Sequence, residues 1–231
     1  AQSKILLWNN GKGNIINTDG GKINYLGFGF CGNYKKNDSE RNAQDADIAF
    51  ASGCSVLIKK DSYLKIGGFD DDFFAYVEDQ DFGWRAKMSG YRSILSARST
   101  VWHKYEFKKT KNGNKFYLLE RNRLYFIFKN YSLKTIILIM PALLLMELGI
   151  IGYSVINGFF IDKLRSYLDF LLNIKRLSDD RRIVQGKRVV SDRQLFSNLS
   201  PTIDFEDISS LPLKIANTFL IGYYKIIINF I

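Results

Sequence analysis

Apolar and polar positions divide the 231-residue chain into a first part of short segments and a second part of long apolar ones. Short runs bounded by Gly, Asn and Asp are typical of strands, and apolar positions three and four apart are typical of helices. Strands are predicted at 4–8, 22–31, 55–58 and 91–100, the last one leading into 101–103. Helices are predicted from an N-cap at Asp61 to Gly67, from Glu78 to Gly90 and from about Phe116 to Asn130.

The second part opens with a long apolar run from Thr135 to Ile161. It exceeds the roughly 20 residues that cross a bilayer, so a transmembrane helix is the leading interpretation. Glu147 near its middle is costly in lipid unless it is paired or faces protein. Pro141 with Gly149 and Gly152 also permits a kink or a re-entrant hairpin. A segment lying in the plane of the membrane is the third alternative.

The remainder of the second part is helical by pattern. Residues 162–194 are charged but carry a leucine-bearing face, which predicts a helical segment with one apolar side. Residues 213–231 are apolar and aromatic again, and Lys214 and Lys225 are placed so that their charged ends can reach water from an apolar surface.

The net charge narrows the class of binding partner, and the cysteine content indicates the redox compartment. The formal net charge of +10 points to an anionic partner: a phosphorylated small molecule, a lipid surface or nucleic acid. The basic residues are scattered through membrane-like segments and do not gather on one face, so nucleic acid is the weakest of the three. Cys31 and Cys54 match neither a disulfide framework nor a zinc spacing, which predicts reduced thiols in a cytosolic setting.

Ionisable groups and aromatic residues are densest in the stretch from Gly67 to Tyr91. On a helix, Glu78, Asp81 and Arg85 share one face, and Asp81 with Arg85 is well placed for an ion pair. Asp79 lies about 100° around the helix from Glu78 and can point into a cleft. Two adjacent carboxylates in different surroundings can then divide into a structural acceptor and a general base. The alternative is that the acidic residues only complement the helix dipole.

Further candidates follow that stretch. His103, the one histidine of the chain, is a plausible ligand for a divalent cation beside carboxylates. The lysine-rich segment 104–115, with Arg121 and Arg123 on the next helix, could bind phosphate. The alternatives are a hydrogen-bonded histidine without a metal and a solvated loop.

A resemblance to family 2 glycosyltransferases is carried by SGCSVLIKKDSYLKIGGFDDDFFAYVEDQDFGWRAKMSGY, residues 52–91. The stretch is similar to the C-terminal half of the catalytic domain in the rhamnosyltransferase-like members of that family. The shared pattern is a small-residue strand, a Gly-Gly-Phe-Asp turn, a Phe-Phe-x-Tyr run, Glu-Asp-x-Asp, an arginine, a terminal Gly-Tyr and a later His. It extends to His103 and, less specifically, to Arg121-Asn122. The fold that this implies is α/β, an incomplete A-type glycosyltransferase (nucleotide-diphospho-sugar transferase) fold.

The resemblance implies an inverting transfer of a sugar from a nucleotide-sugar donor to a glycan or polyprenyl-linked acceptor, in cell-surface polysaccharide synthesis. Asp79 corresponds to the catalytic base of the family, with Glu78 beside it. The other implied roles are support of the site by Asp81, Arg85, Gly53 and Cys54, contact with the donor diphosphate by Arg121, and binding of Mg²⁺ or Mn²⁺ by His103.

The family's donor-binding strands and its Asp-x-Asp motif have no counterpart before Ser52. We therefore expect residues 1–130 to be the C-terminal half of a catalytic domain that is inactive alone, and 131–231 to be a helical, membrane-associated region. The expected location is the cytoplasmic face of the cell membrane, with lipid as a partner and no nucleic acid. The alternative function is that of a membrane-anchored binding or scaffold module without catalysis.

Overall fold

The computed structural model describes residues 1–8, 14–38, 44–104, 113–204 and 211–231, with the backbone alone for 211 and 212. The strands are β1 (Gln2–Leu7), β2 (Ile16–Thr18), β3 (Gly21–Ile23), β4 (Gly29–Cys31), β5 (Ala46–Asp47) and β6 (Ile94–His103). The helices are α1 (Lys60–Ile66), α2 (Glu78–Met88), α3 (Gly113–Asn130), α4 (Leu133–Asn157), α5 (Phe160–Leu172), α6 (Ile174–Gly186), α7 (Asp192–Phe196) and α8 (Leu211–Ile227). This mixed α/β structure with a helical second half is compatible with the predicted fold class.

The main sheet has four strands in the order β2-β1-β6-β5. Ile5 and Leu6 of β1 are buried, as the apolar run there predicts. β1 and β6 run parallel, and Leu7 lies opposite His103 at their carboxyl ends. In open α/β sheets, ligands bind outside the carboxyl ends of parallel strands, so His103 lies at the edge where a site is expected.

The predicted strand at 55–58 is wrong. This segment forms only an isolated bridge between Gln2 and Val56. β6 fills one edge of β1, and β2 occupies the other edge at Ile5 and Leu6, which leaves only the first residues of β1 for the segment to meet. The pattern of apolar residues was read correctly, but the sheet had no free edge for a longer ladder.

Two other predicted elements differ in detail. The run at 22–31 is a hairpin of β3 and β4, because its middle turns: the Asn24 side chain accepts a hydrogen bond from the Leu26 N–H at 2.8 Å, and Gly27 has a positive φ of 84°. α1 begins one residue before Asp61 and has no side-chain cap. Asp61 therefore lies in the first turn and does not serve as the predicted N-cap.

The helices of the second part are separated by residues whose backbone leaves the right-handed helical conformation. The predicted apolar segment 135–161 is divided, because Gly158 closes α4 with a φ of 78° and α5 begins at Phe160. The charged segment 162–194 forms three helices, with a break at Asn173 between α5 and α6. A capping box of Ser191 and Gln194 starts α7.

The two predicted parts of the chain share one hydrophobic core. Its buried side chains come from the hairpin, α2, α3, α4, α7 and α8, and include Tyr25, Trp84, Phe126, Ile139, Phe196 and Leu220. The predicted boundary at 130/131 thus falls between two helices that pack into the same core. The helical part therefore contributes to the framework that supports the candidate site.

Candidate functional site

The site begins in the loop that leads into α2. A short 3-10 turn at 71–73 is followed by three non-glycine residues with positive φ: Phe74 at 58°, Tyr76 at 67° and Val77 at 70°. Such values are uncommon outside glycine, and for a β-branched valine they are a genuine outlier. Strain of this kind persists only where the surrounding structure holds the backbone in place, and it is concentrated at functional sites.

Asn122 of α3 holds this loop. Its side chain is fully buried, and its Nδ2 lies 2.8 Å from the carbonyl oxygens of Phe73 and Ala75 and 2.7 Å from that of Tyr76. One amide group thus lies within hydrogen-bond distance of three carbonyl oxygens in a single stretch of irregular backbone. Its Oδ1 in turn accepts a hydrogen bond from Arg121 Nε at 2.9 Å, which fixes the orientation of the amide.

Arg121 contacts the same loop from the neighbouring position. Its Nη2 lies 2.8 Å from the carbonyl oxygen of Asp72, and its Nη1 lies 3.3 Å from Asp169 of α5. The guanidinium also lies over the rings of Tyr117 and Tyr125. Through these contacts Arg121, like Asn122, acts as a clamp that holds the loop in place. The role of Arg121 at a donor diphosphate stays a prediction.

The loop delivers Asp79 to the first turn of α2. One carboxylate oxygen accepts a hydrogen bond from the Gly53 N–H at 3.1 Å, and the other accepts one from the Gln80 N–H at 2.8 Å. Gly53 thus supports the position of Asp79 directly, whereas the exposed Cys54 lies beside it in the same turn. The structure therefore brings Asp79 and the small-residue segment together, as the sequence predicts.

The carboxylates at this end of α2 have no cationic partner in the part of the chain that the structure describes. Within the described ranges, neither Asp79 nor Glu78 forms an ion pair, and Glu78 Oε2 is buried without a hydrogen bond. Burial raises the pKa of Asp79, against the hydrogen bonds from Gly53 and Gln80, which lower it. Burial and then the charge of Asp79 raise the pKa of Glu78. A carboxylate whose proton affinity is raised in this way is suited to act as a general base.

Close packing of α2 on the hairpin sets where Asp79 lies. A Cβ on Gly83 would lie 2.4 Å from the Cβ of Phe50, so this helix position accepts no side chain. One turn earlier, the Gln80 side chain donates to the carbonyl oxygen of Gly27 at 3.0 Å. These two contacts fix α2 against the turn of the hairpin and against the segment before Gly53.

Asp81, two residues after Asp79, has the opposite environment. It is fully buried, and its oxygens lie 2.7 Å from Arg85 Nε, 2.8 Å from Lys129 Nζ and 2.7 Å from Asn130 Nδ2. Burial alone would raise the pKa of Asp81, but Lys129 and Arg85 together lower it. The predicted ion pair of Asp81 and Arg85 is confirmed. Arg85 also donates to the carbonyl oxygen of Gly68 at 2.7 Å, so it links Asp81 to the chain segment that precedes the loop.

His103, at the end of β6, contacts β2. Its Nδ1 is 3.2 Å from Asn17 Oδ1, while the next residue of β2, Thr18, hydrogen-bonds the thiol of Cys31. Burial and then the charge of Asp79 raise the pKa of Cys31. β2 thus connects the neighbourhood of His103 with that of Asp79 without placing the two side chains in one hydrogen-bonded group.

The described residues do not build a cation site around His103. Among them, no group of three or more His, Cys, Asp or Glu side chains is placed to hold a metal ion. Binding of Mg²⁺ or Mn²⁺ therefore stays a prediction, and no step of the proposed reaction depends on it.

A cleft of about 480 Å³ lies away from all the predicted site residues. It is lined by polar groups of the hairpin and its surroundings, with Lys4, Asp19, Asn33 and Asp47 among them. Lys4 is paired there with Asp38 at 2.6 Å, and the Asp19 carboxylate accepts from Asn33 at 2.9 Å. The pairs Lys4–Asp38 and Asp19–Asn33 thus engage polar groups of this cleft, and none of the residues that line it is a predicted site residue.

Sequence reasoning missed the residues that hold the site from a distance. Asn122, Lys129 and Asn130 all lie on α3 and reach the loop or α2, and Asn17 reaches His103 from β2. One signal was present: polar residues recur within the otherwise apolar and aromatic run RNRLYFIFKN at 121–130. Polar groups on the buried face of a helix require partners, so their presence predicts contacts that the sequence does not name.

Comparison with known proteins bears on the class of protein in general terms and not on individual site residues. No protein-family model matches the chain. The N-acetylglucosaminyl-diphospho-decaprenol L-rhamnosyltransferase of Mycobacterium tuberculosis, in strains CDC 1551 / Oshkosh and ATCC 25618 / H37Rv, is 32% identical over 56 residues. The match spans 24% of this chain and 18% of the length of the relative. It points to a glycosyltransferase-like family and to transferase activity in coarse terms.

Proposed function

We propose that the protein transfers a sugar from a nucleotide-sugar donor to the hydroxyl group of a glycan or polyprenyl-linked acceptor, with inversion at the anomeric carbon. The observation that carries this proposal is Asp79: a carboxylate with a raised pKa and, among the described residues, no cationic partner, at the end of a strained and clamped loop. The partial likeness to a rhamnosyltransferase supports the same class of reaction.

In the proposed reaction, Asp79 takes the proton of the acceptor hydroxyl as its oxygen attacks the anomeric carbon. The bond between that carbon and the acceptor oxygen forms, the bond to the diphosphate oxygen breaks, and the nucleoside diphosphate leaves with the electron pair. Burial of Asp79 favours this role because it increases the affinity of the carboxylate for the proton. Glu78 keeps a second negative charge close by and so raises that affinity further.

The acceptor class is also a proposal. The relative from Mycobacterium tuberculosis is named for an acceptor that carries a lipid chain, decaprenol. An acceptor of that chemistry would be held in a membrane, and the exposed thiols of Cys31 and Cys54 suit the reducing cytoplasmic side. We therefore propose the cytoplasmic face of the cell membrane as the place of action.

The test uses the full-length protein with Asp79→Asn and the matched control Asp71→Asn, which changes an exposed carboxylate eight residues earlier in the same acidic stretch. The first pair of substrates is nucleotide-activated L-rhamnose and polyprenyl-diphosphate-linked N-acetylglucosamine. We expect Asp79→Asn to lower kcat by about 10²–10⁴-fold with donor affinity nearly unchanged, because only the general base is lost. Asp71→Asn should retain wild-type turnover.

Equal turnover of Asp79→Asn and wild type would overturn the role of Asp79. Absence of turnover in the wild-type protein with every nucleotide sugar and acceptor tried, together with no binding of nucleotide sugars, would support a scaffold in place of an enzyme.

A further inference from the structure

α5 has its polar side turned inwards. Its buried residues are Lys163 and Ser166, and Asp169 pairs with Arg121 of α3. Its apolar stripe is exposed instead, with side chains at helical spacing: Ile161, Leu164, Leu168, Leu171 and Leu172, all between 45 and 74% exposed. In a water-soluble domain the apolar face of an amphipathic helix packs on the core. The reversed polarity of α5 requires an apolar environment outside the protein.

α4 also leaves an apolar face exposed. Its buried side is mixed, with Ile139, Ala142 and Leu143 beside Thr135, Glu147 and Ser154. Its exposed side is almost entirely apolar, with Leu133, Ile137, Met140, Leu144, Leu145, Leu148, Val155 and Ile156. Among the described residues it is the one helix long and apolar enough to cross a membrane, with a mean hydropathy of 2.2. The question is whether it crosses or lies flat.

Contacts along the inner side of α4 answer that question. At its start, Thr135 Oγ1 lies 2.6 Å from Asp192 Oδ2 of α7. Three residues further on, the Tyr223 hydroxyl of α8 donates to the carbonyl oxygen of Leu138 at 2.7 Å. In its second half, Glu147 pairs with Arg123 of α3 and with Lys163 of α5.

Helix α4 is thus fixed to the rest of the protein from its first turn to beyond its middle. A helix that crosses a bilayer is surrounded by lipid or by other spanning segments over about 30 Å. α4 could cross only if α3, which carries Arg123 and the loop clamp Asn122, entered the hydrocarbon with it. Its outer side, however, can contact lipid without any such change.

α8 extends the same surface. Its exposed apolar side chains are Ile215, Phe219 and Ile226, and Phe230 in the turn after the helix is exposed as well. The exposed charged side chains described on α4 and α8 are Lys134, Lys214 and Lys225, and no carboxylate is exposed on either helix. A surface of apolar side chains with lysines around it is complementary to an anionic membrane and not to a copy of itself, which would bring the lysines together.

We infer that the outer faces of α4, α5 and α8 seat the protein on one leaflet of an anionic bilayer, with α4 lying along the membrane and not across it. The occupant of this surface is the lipid itself. The inference deepens the proposed function, since it names the surface that would bring Asp79 to a lipid-linked acceptor, but its tests do not depend on catalysis.

The first test measures flotation of the full-length protein with vesicles of zwitterionic lipid, with and without anionic lipid. We expect binding that is stronger on the anionic vesicles. The double variant Leu144→Glu/Leu168→Glu should reduce binding by about tenfold or more, because each charge enters the apolar surface. Ile183→Glu on α6 is the matched control: an equally exposed apolar residue on another helix, whose replacement should leave binding within about twofold.

The second test separates lying from crossing. In a background with Cys31→Ser and Cys54→Ser, Lys134→Cys and Asn157→Cys place one thiol near each end of α4. In sealed vesicles, a membrane-impermeant thiol reagent should label both positions from the same side. Labelling from opposite sides would show that α4 crosses and would overturn the inference.

Two further outcomes would also overturn it. One is wild-type protein that stays unbound to anionic vesicles. The other is a concentration-dependent dimer in sedimentation that Leu144→Glu/Leu168→Glu abolishes, which would make a second copy the occupant. Circular dichroism of each variant checks that it is folded, and none of these readouts changes if the proposed transferase activity fails.

Discussion

Two pairs of carboxylates in this protein have opposite surroundings. Glu120 and Glu147 are buried with two cations: Lys163 Nζ is 2.5 Å from Glu120 and 2.7 Å from Glu147, and Arg123 pairs with both. Glu78 and Asp79 are partly buried with no described cation. Charge is therefore compensated where three helices meet and left uncompensated at the start of α2.

The contrast separates carboxylates that hold helices together from carboxylates that are suited to accept a proton. A buried carboxylate that is matched by a cation can be ionised at little net cost, and it joins the elements that carry the two partners. A carboxylate without a cation raises the free energy of its own ionised form and so remains ready to accept a proton. Asp81 belongs with the first kind although it lies two residues from Asp79.

The largest expected effect on stability comes from breaking the compensated pair. Glu147→Gln leaves Arg123 and Lys163 with one carboxylate between them, and we expect it to lower the free energy of unfolding by about 3–5 kcal/mol. Denaturant unfolding of the full-length protein measures this. The matched control is Asp179→Asn, which removes an exposed carboxylate and should change the free energy of unfolding by less than about 0.5 kcal/mol. Equal effects would remove the distinction between the two kinds of carboxylate.

The second prediction concerns the clamp that holds the uncompensated pair. Asn122→Ala removes the Nδ2 donor from the carbonyl oxygens of Phe73, Ala75 and Tyr76, of which that of Phe73 keeps a hydrogen bond from Arg121. At about 1–3 kcal/mol for lost hydrogen bonds in a buried site, kcat should fall by about 10–100-fold. KM for the donor should change little, because Asn122 contacts the loop and not the substrate.

Asn122→Asp serves as the comparison, because it keeps the shape of the side chain but removes its donors. It should behave like Asn122→Ala in kcat. An unchanged kcat in both variants, in protein that remains folded, would show that the loop keeps its strained conformation without the clamp.

The third prediction is a pH dependence of turnover. The raised pKa of Asp79 places the acidic limb of kcat/KM above the usual carboxyl value of about 3.9, because the base must lose its proton before it can act. Glu78→Gln removes the neighbouring negative charge and should move that limb to lower pH by up to about one unit. A limb that moves to higher pH would contradict the electrostatic role given to Glu78.

The smallest expected effect is a gain in stability. Because the pKa of Asp79 is raised on folding, its contribution to stability is most favourable below the unfolded pKa and declines as pH rises through the folded value. Asp79→Asn removes the ionisable group and therefore removes this loss of stability at higher pH. At neutral pH the variant should therefore be more stable than wild type by up to about 1 kcal/mol, with a smaller difference at pH 4.

We expect Asp81→Asn to change the pH dependence of stability in the opposite direction. The pKa of Asp81 is lowered, so its contribution is present above the unfolded pKa and is lost as pH falls towards the folded value. Its replacement should destabilise the protein most at neutral pH. Thermal unfolding at several pH values compares the two variants directly.

The sequence by itself determined much of this structure. Helical spacing predicted α2, α3 and the ion pair of Asp81 with Arg85, because these depend on contacts within a few residues. The acidic stretch before Tyr91 identified Asp79 as the candidate base, and the apolar runs identified the helices that face lipid in our inference. All of these follow from local pattern and composition.

Only the tertiary structure decided the rest, because it depends on partners far apart in the chain. The segment 55–58 has the composition of a strand, yet the edges of β1 were already occupied. Arg121 and Asn122 reach back almost 50 positions to hold the loop before α2, and no spacing rule pairs them. Glu147 looked costly within an apolar run, and its cost is removed by cations from two other helices that lie beside it only in the folded chain.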